Sequence, residues 1–128
     1  MEKIPVARCA IVRSGKLLLL YNVRRARYEM PGGKVKESEM LEQGARREVR
    51  EETGCGVTIK KLLGTIDTES QGKTYRAHVF LASTKDEPRV MEPHTFSKLV
   101  WMPIEDYKNY TSQPGMKKVM EILMKEIL

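Results

Sequence analysis

Two hydrophobic periods alternate along the chain. Residues 4–12 are apolar and β-prone, Ser14-Gly15 has turn chemistry, and residues 16–21 carry the unbroken run Leu17, Leu18, Leu19, Leu20. Two such runs around a short glycine turn predict a β-hairpin. Residues 22–28 are basic and irregular, and Pro31-Gly32-Gly33 then breaks the chain. Residues 38–53 hold no proline and a single glycine, and are rich in Glu, Arg, Ala, Leu and Met, which predicts a helix. Ser38 suits its N-cap, Glu39 and Glu42 its first turn, and Gly54 its C-terminal stop. Residues 57–68 and 74–83 read as strands joined by a polar turn with Gln71-Gly72, and residues 84–97 as a polar loop. Residues 99–102 form a short strand closed by Pro103. Met116, Val119, Met120, Leu123, Met124 and Ile127 fall on one stripe of a last helix over residues 116–128, expected to pack into the core. The order β-β-α-β-β-β-α does not alternate regularly, so a doubly wound parallel sheet is not expected. An α+β fold is, with a mixed sheet packed between helices.

The first helix contains an anomaly. On a wheel of about 100° per residue from Leu41, Ala45 lies near 40° and Val49 near 80°, the apolar stripe. Glu52 falls at about 20°, Glu48 at about 340° and Glu51 at about 280°. These acids crowd the margin of the stripe instead of opposing it. Carboxylates at i, i+3 and i+4 share a face and repel, and partial burial adds a desolvation cost. Two arrangements relieve this. A hard divalent cation takes carboxylate oxygens, or Arg46, Arg47 and Arg50 pair with the acids, Arg47 and Glu51 being spaced i, i+4. Spacing alone leaves both open.

The 128 residues amount to one domain, residues 1–128, with charged residues at 31% and no apolar run long enough to span a bilayer. The N-terminus lacks the apolar block of a signal peptide, so a cytoplasmic protein without a membrane partner is expected. Cys9 and Cys55 lack metal-site spacing and read as small core residues of a reduced protein. The net charge of +6 favours anionic partners such as nucleotides. No zinc-finger spacing, RNP motif or helix-turn-helix pattern accompanies it, so no stable nucleic-acid partner is expected.

The segment GKVKESEMLEQGARREVREETGC, residues 33–55, resembles the Nudix box, G-x5-E-x7-R-E-U-x-E-E-x-G-U, where U is bulky and apolar. Gly33, Glu39, Arg47, Glu48, Val49, Glu51, Glu52 and Gly54 match; Cys55 is the one soft departure. The preceding YEMPGGK is similar to the lead-in common in that family. The resemblance implies an α/β/α sandwich with the box as loop-helix-loop, and hydrolysis of a nucleoside diphosphate linked to another group. It implies that Glu48, Glu51 and Glu52 hold Mg²⁺ or Mn²⁺, with Glu48 as the alternative base by analogy with MutT-type enzymes. The Gly32 carbonyl completes the metal shell, and Arg47 with Glu39 forms a supporting ion pair. A glutamate outside the box is expected too, with Glu92 favoured over Glu87; neighbouring His94 reads as a loop residue. Arg24, Arg25 and Arg27 occupy a segment that borders the nucleotide in MutT-like proteins, which leaves phosphate or base contact and a solvated basic loop both open, and Tyr28 and Phe96 are each either a base-stacking or a structural aromatic. Trp101 reads as core in the closing strand. Dimers are common among relatives, which leaves a homodimer open.

The box does not fix the substrate. ADP-ribose hydrolases carry a proline about fifteen residues after the box, and residues 67–72 have none. Tyr75 lies somewhat late for the tyrosine of dinucleoside-polyphosphate hydrolases. The NADH-hydrolase array and the coenzyme A signature are missing. A MutT-like hydrolase releasing pyrophosphate from a (d)NTP is therefore expected, with ADP-ribose and dinucleoside polyphosphates as alternatives. A non-catalytic nucleotide sensor of this fold usually loses box glutamates, and all are present here. The nucleotide is a small-molecule partner in every version.

Overall fold

The computed structural model describes residues 2–127. In chain order they form β1 (Ile4–Arg13), β2 (Lys16–Asn22), β3 (Arg27–Glu29), β4 (Gly32–Lys34), α1 (Leu41–Thr53), β5 (Thr58–Ser70), β6 (Lys73–Ser83), β7 (Phe96–Pro103), a 3-10 turn (Ile104–Asn109) and α2 (Met116–Ile127). Leu128, the end of the expected last helix, lies outside the described residues, as does the side chain of Ile127. No helix among them is long and apolar enough to cross a membrane.

The first hairpin forms where its turn predicts. Ser14 and Gly15 both have positive φ, 50° and 75°, the geometry whose twist suits a two-residue hairpin. Its strands pair only beside the turn, Val12 with Leu17 and Arg13 with Lys16, and then part. From Ile4 to Ile11, β1 runs parallel to β6, and its other edge takes the antiparallel β4. β2 pairs antiparallel with β7 and with β3. β5 closes the far edge against β6, with two irregularities in register. The sheet is thus mixed, in the order β3-β2-β1-β6-β5 with β4 and β7 beside β1 and β2.

Both faces of its centre are covered, which explains the unbroken leucine run: a strand buried on two sides needs no polar alternation. Ala7, Cys9, Ile11 and Leu18 pack with Ala45, Val49 and Cys55 beneath α1. Ala10, Leu17 and Leu19 pack with Met116, Val119, Met120 and Leu123 beneath α2. The expected α/β/α layering is therefore present, Trp101 packs against the α1 side, and both cysteines are free and fully buried.

Three local expectations are corrected. β3 and β4 occupy segments too short and too rich in Arg and Gly to show a period. β7 begins at Phe96, not residue 99. α1 begins at Leu41 with Met40 at the N-cap, two residues beyond Ser38. Gln43 Oε1 accepts the Met40 N–H at 2.8 Å and does the capping from inside the helix, while Ser38 is exposed in the preceding turn. Ser38→Ala should therefore change stability by less than about 0.5 kcal/mol in urea denaturation, where loss of a working N-cap costs about 1 kcal/mol.

Candidate active site

α1 is fixed at both ends. Gly54 takes φ +77° and its N–H donates to Arg50 O at 2.9 Å, the left-handed stop that glycine permits. The last turn is tied down from outside by residues of the 84–95 loop: Arg89 N–H donates to Thr53 O and Met91 N–H to Glu52 O, at 2.9 and 3.1 Å. These bonds satisfy terminal helix carbonyls and bring Glu92 beside the helix acids.

Arg47 is the hub of the box. Its Nε and Nη2 donate to the two oxygens of Glu39 at 2.7 and 2.9 Å, Nη2 also to Lys34 O at 3.1 Å. Nη1 donates to Glu48 Oε1 and Glu51 Oε1, both at 3.1 Å. Glu39 also accepts Lys36 N–H at 2.8 Å. The Arg47 bonds first, and the Lys36 N–H second, hold the Glu39 carboxyl down to about 2. Of the three arginines, Arg47 pairs with the acids, Glu51 among them, while among the described residues Arg46 and Arg50 form no salt bridge; the acids still sit at the core margin. Arg47→Lys cannot keep the fork on Glu39 and the bonds to Glu48 and Glu51 together. It should cost about 1–3 kcal/mol in thermal or urea melts.

Glu52 is 6% exposed, the most deeply placed acid of the helix. Its Oε1 accepts Gly32 N–H at 3.0 Å. Burial pushes its carboxyl up to about 8; the Gly32 bond and Arg8 oppose this, while the charges of Glu48 and Glu92 add to it. Glu92 is likewise raised, by burial and then by Glu48 and Glu51. Glu87, by contrast, is held by Arg13 at 2.9 Å, and His94 is exposed.

A cavity of about 780 Å³ opens onto Glu48, Glu52, Gly32 and Gly33 at one end and Arg25, Arg27 and Phe96 elsewhere on its wall. Among the other predicted residues, Arg24 is exposed and does not line it. Tyr28 does not line it either: its ring meets Tyr21 and Tyr110 edge-on at 4.9 and 5.1 Å and packs on the α2 side of the core. Arg8, Asn22, Glu29 and Gln113 line it without having been singled out in the sequence. Glu29 is 3% exposed and accepts from Asn22, Arg25 and Arg27 at 2.8–3.1 Å. Burial resists its ionisation, but Arg8, Arg27 and Asn22 outweigh that and hold the carboxyl below its usual range. A signal for Arg8 was present: a lone charge inside the apolar run of β1 must find a partner. Gln113 gives no signal, since its side-chain oxygen meets Met30 N–H across 83 residues of chain.

Among the described residues no three acidic, His or Cys side chains converge at metal-ligand spacing. The guanidinium of Arg47 stands between Glu48 and Glu51 instead. The donor set nonetheless suits a hard divalent cation. Glu48, Glu51, Glu52 and Glu92 offer only carboxylate oxygen, and the charge on Glu52 is poorly compensated where it lies. Gly33 keeps the space open: a Cβ there would stand 2.7–2.8 Å from the Glu48 carboxylate.

The domain model of the NUDIX family matches residues 3–123, and the chain belongs to that family. It is 28% identical over 128 residues to the CTP pyrophosphohydrolase of Escherichia coli (strain K12), covering 97% of this chain and 93% of that one. It is 29% identical over 125 residues to the Nudix hydrolase YvcI of Bacillus subtilis (strain 168), covering 94% and 78%. The crystal structure of a MutT NUDIX hydrolase from Burkholderia pseudomallei superposes with a TM-score of 0.82 at 29% identity, covering 94% and 98%. The chain is a MutT-like Nudix hydrolase, a pyrophosphohydrolase of nucleoside diphosphate-linked substrates in a family that generally uses a divalent metal such as Mg²⁺.

Proposed function

We propose that the chain hydrolyses a nucleoside triphosphate, ribo or deoxy, to the monophosphate and pyrophosphate. The observation that carries this reading is a cavity of nucleotide size lined by the carboxylates Glu48 and Glu52 and by the arginines Arg25 and Arg27. The name of the E. coli relative, a CTP pyrophosphohydrolase aligned over almost the whole chain, supports it. Glu51, Glu52, Glu92 and the Gly32 carbonyl would hold Mg²⁺ or Mn²⁺, with Glu48 left to act as base. That cation, once bound, neutralises the anhydride and acidifies water.

The chain's own residues supply the rest. Water oxygen bonds to the α or β phosphorus, the anhydride P–O bond between them breaks, and the leaving group, pyrophosphate or the nucleoside monophosphate, carries the negative charge away. Glu48, on the cavity wall, is the base that accepts the water proton. Arg47 and Glu39 orient Glu48 and Glu51. Arg25 and Arg27, steadied by Glu29, face the phosphates, and Phe96 supplies an apolar surface for the base. Tyr75 favours one second reading. It lines the same cavity, with the Lys34 ammonium 5.6 Å from its ring centre, which suits the second nucleoside of a dinucleoside polyphosphate.

The test is a panel of (d)NTPs, ADP-ribose, NADH, diadenosine polyphosphates and capped RNA with Mg²⁺, following phosphate products. Turnover of a triphosphate at the highest kcat/KM supports the first reading. Preference for a diadenosine polyphosphate moves the assignment to the second, and binding without turnover of any compound defeats both.

A further inference from the structure

The opposite side of α1 carries a second concavity. Taking Leu41 as zero, Arg46 and Arg50 lie at about 140° and 180°, turned away from Glu48 at about 340°. With Lys85 they line a recess of about 450 Å³ whose other walls include Gly56, Thr58, Ser83 and Thr84. We propose that this recess is a binding site for a pyrophosphate-type anion, free or as the tail of a nucleotide, separate from the catalytic cavity.

Three observations converge on it. First, Arg46 and Arg50 repel each other as like charges at i, i+4. Among the described residues neither they nor Lys85 has a carboxylate within salt-bridge distance. Three cations thus face one lining carboxylate, Asp86, which already accepts Gly56 N–H at 2.8 Å.

Second, the wall opposite the helix is built and held. Arg13 Nη2 donates to Thr84 O and Asp86 O, both at 2.8 Å, and Thr84 Oγ1 donates to Gly56 O at 2.7 Å. These bonds fix the turn that carries Lys85. Third, Arg50 lies close over the Gly56 backbone: a Cβ at Gly56 would be 2.9 Å from Arg50 Nη2. The missing side chain is what lets the guanidinium reach this recess.

The lining also sets the chemistry. Arginine forks and an ammonium at this spacing suit an anion with several oxygens, which relieves the i, i+4 repulsion by bridging both arginines. Among the described residues no aromatic side chain lines the recess, so it offers nothing on which to stack a base. Recognition is therefore of phosphate and not of nucleoside.

The experiment is titration of the full chain with sodium pyrophosphate in EDTA at low ionic strength, followed by calorimetry and by amide ¹H–¹⁵N shifts. Without divalent cation the carboxylate end of the catalytic cavity repels the ligand. The amides of Gly56, Thr84 and Lys85 should shift while those of Gly33 and Glu52 stay. Arg46→Gln combined with Arg50→Gln should weaken binding at least about tenfold, with the melting temperature and the other amides unmoved. CTP should bind here no more tightly than pyrophosphate. Shifts confined to Gly33 and the arginine-lined wall, affinity unchanged in the double variant, or binding of an oligothymidylate at these amides without binding of pyrophosphate would each overturn the proposal.

Discussion

Glu52→Gln should sharply lower turnover and, in metal-free buffer at alkaline pH, make the protein more stable than the wild type. The two effects share one cause. Glu52 is buried, and its carboxyl is pushed from the ordinary value of 4.5 up to about 8. The folded state therefore holds a proton that the unfolded state has released between those two values. Stability contributed by the neutral form is present below 4.5 and is lost as the pH rises toward 8. Gln stays neutral throughout and its Oε1 can still accept the Gly32 N–H. The variant's advantage in thermal melts with EDTA should thus be near zero at pH 4, grow across the window and be several degrees by pH 8. Turnover should fall on the order of a hundredfold or more if Glu52 is the cation ligand proposed above, because the amide lacks the carboxylate charge that would hold the cation. A variant no more stable than wild type at pH 8 would mean that Glu52 is not strained where it lies.

Gly32 and Gly33 are neighbours, yet alanine at each should fail differently. Gly32 has φ +152°, and a Cβ would meet Ala7 O at 2.3 Å and Arg8 Cα at 2.6 Å. Those atoms belong to the central strand β1 and cannot give way, so Gly32→Ala should lose at least about 3 kcal/mol or fail to fold. At Gly33 the obstacle is the Glu48 carboxylate, the far end of a flexible side chain. Gly33→Ala should fold with nearly the wild-type melting temperature while turnover drops about tenfold to a hundredfold as Glu48 is displaced. Circular dichroism and initial rates separate the two outcomes. Full activity in Gly33→Ala would remove Glu48 from the chemistry.

The sequence showed most plainly what local periodicity and fixed spacing encode. The helix wheel placed Glu52 on the apolar side, and it is buried there; it placed Arg50 outward, and Arg50 is exposed. The ion pair of Arg47 and Glu39, written by motif spacing, is made through a fork. What stayed hidden depends on contacts between distant segments. β3 and β4 exist because β2 and β1 offer edges to them, not because of their own composition. Tyr28 is open to either base stacking or a structural role until Tyr110 arrives from beyond β7. Gln113 enters the cavity wall through a contact no local pattern announces. The start of α1 differs from the sequence expectation because Ser38 satisfies a composition rule, whereas Gln43 caps by reaching back to Met40.

The most direct test of the proposed function is to incubate a nucleoside triphosphate such as CTP with Mg²⁺ and separate the products chromatographically, for the wild type and for Glu51→Gln. The wild type should yield nucleoside monophosphate and pyrophosphate in equal amounts, and neither should form with the variant or in EDTA, with both proteins folded. Release of orthophosphate with the diphosphate, or equal turnover by Glu51→Gln, would contradict it.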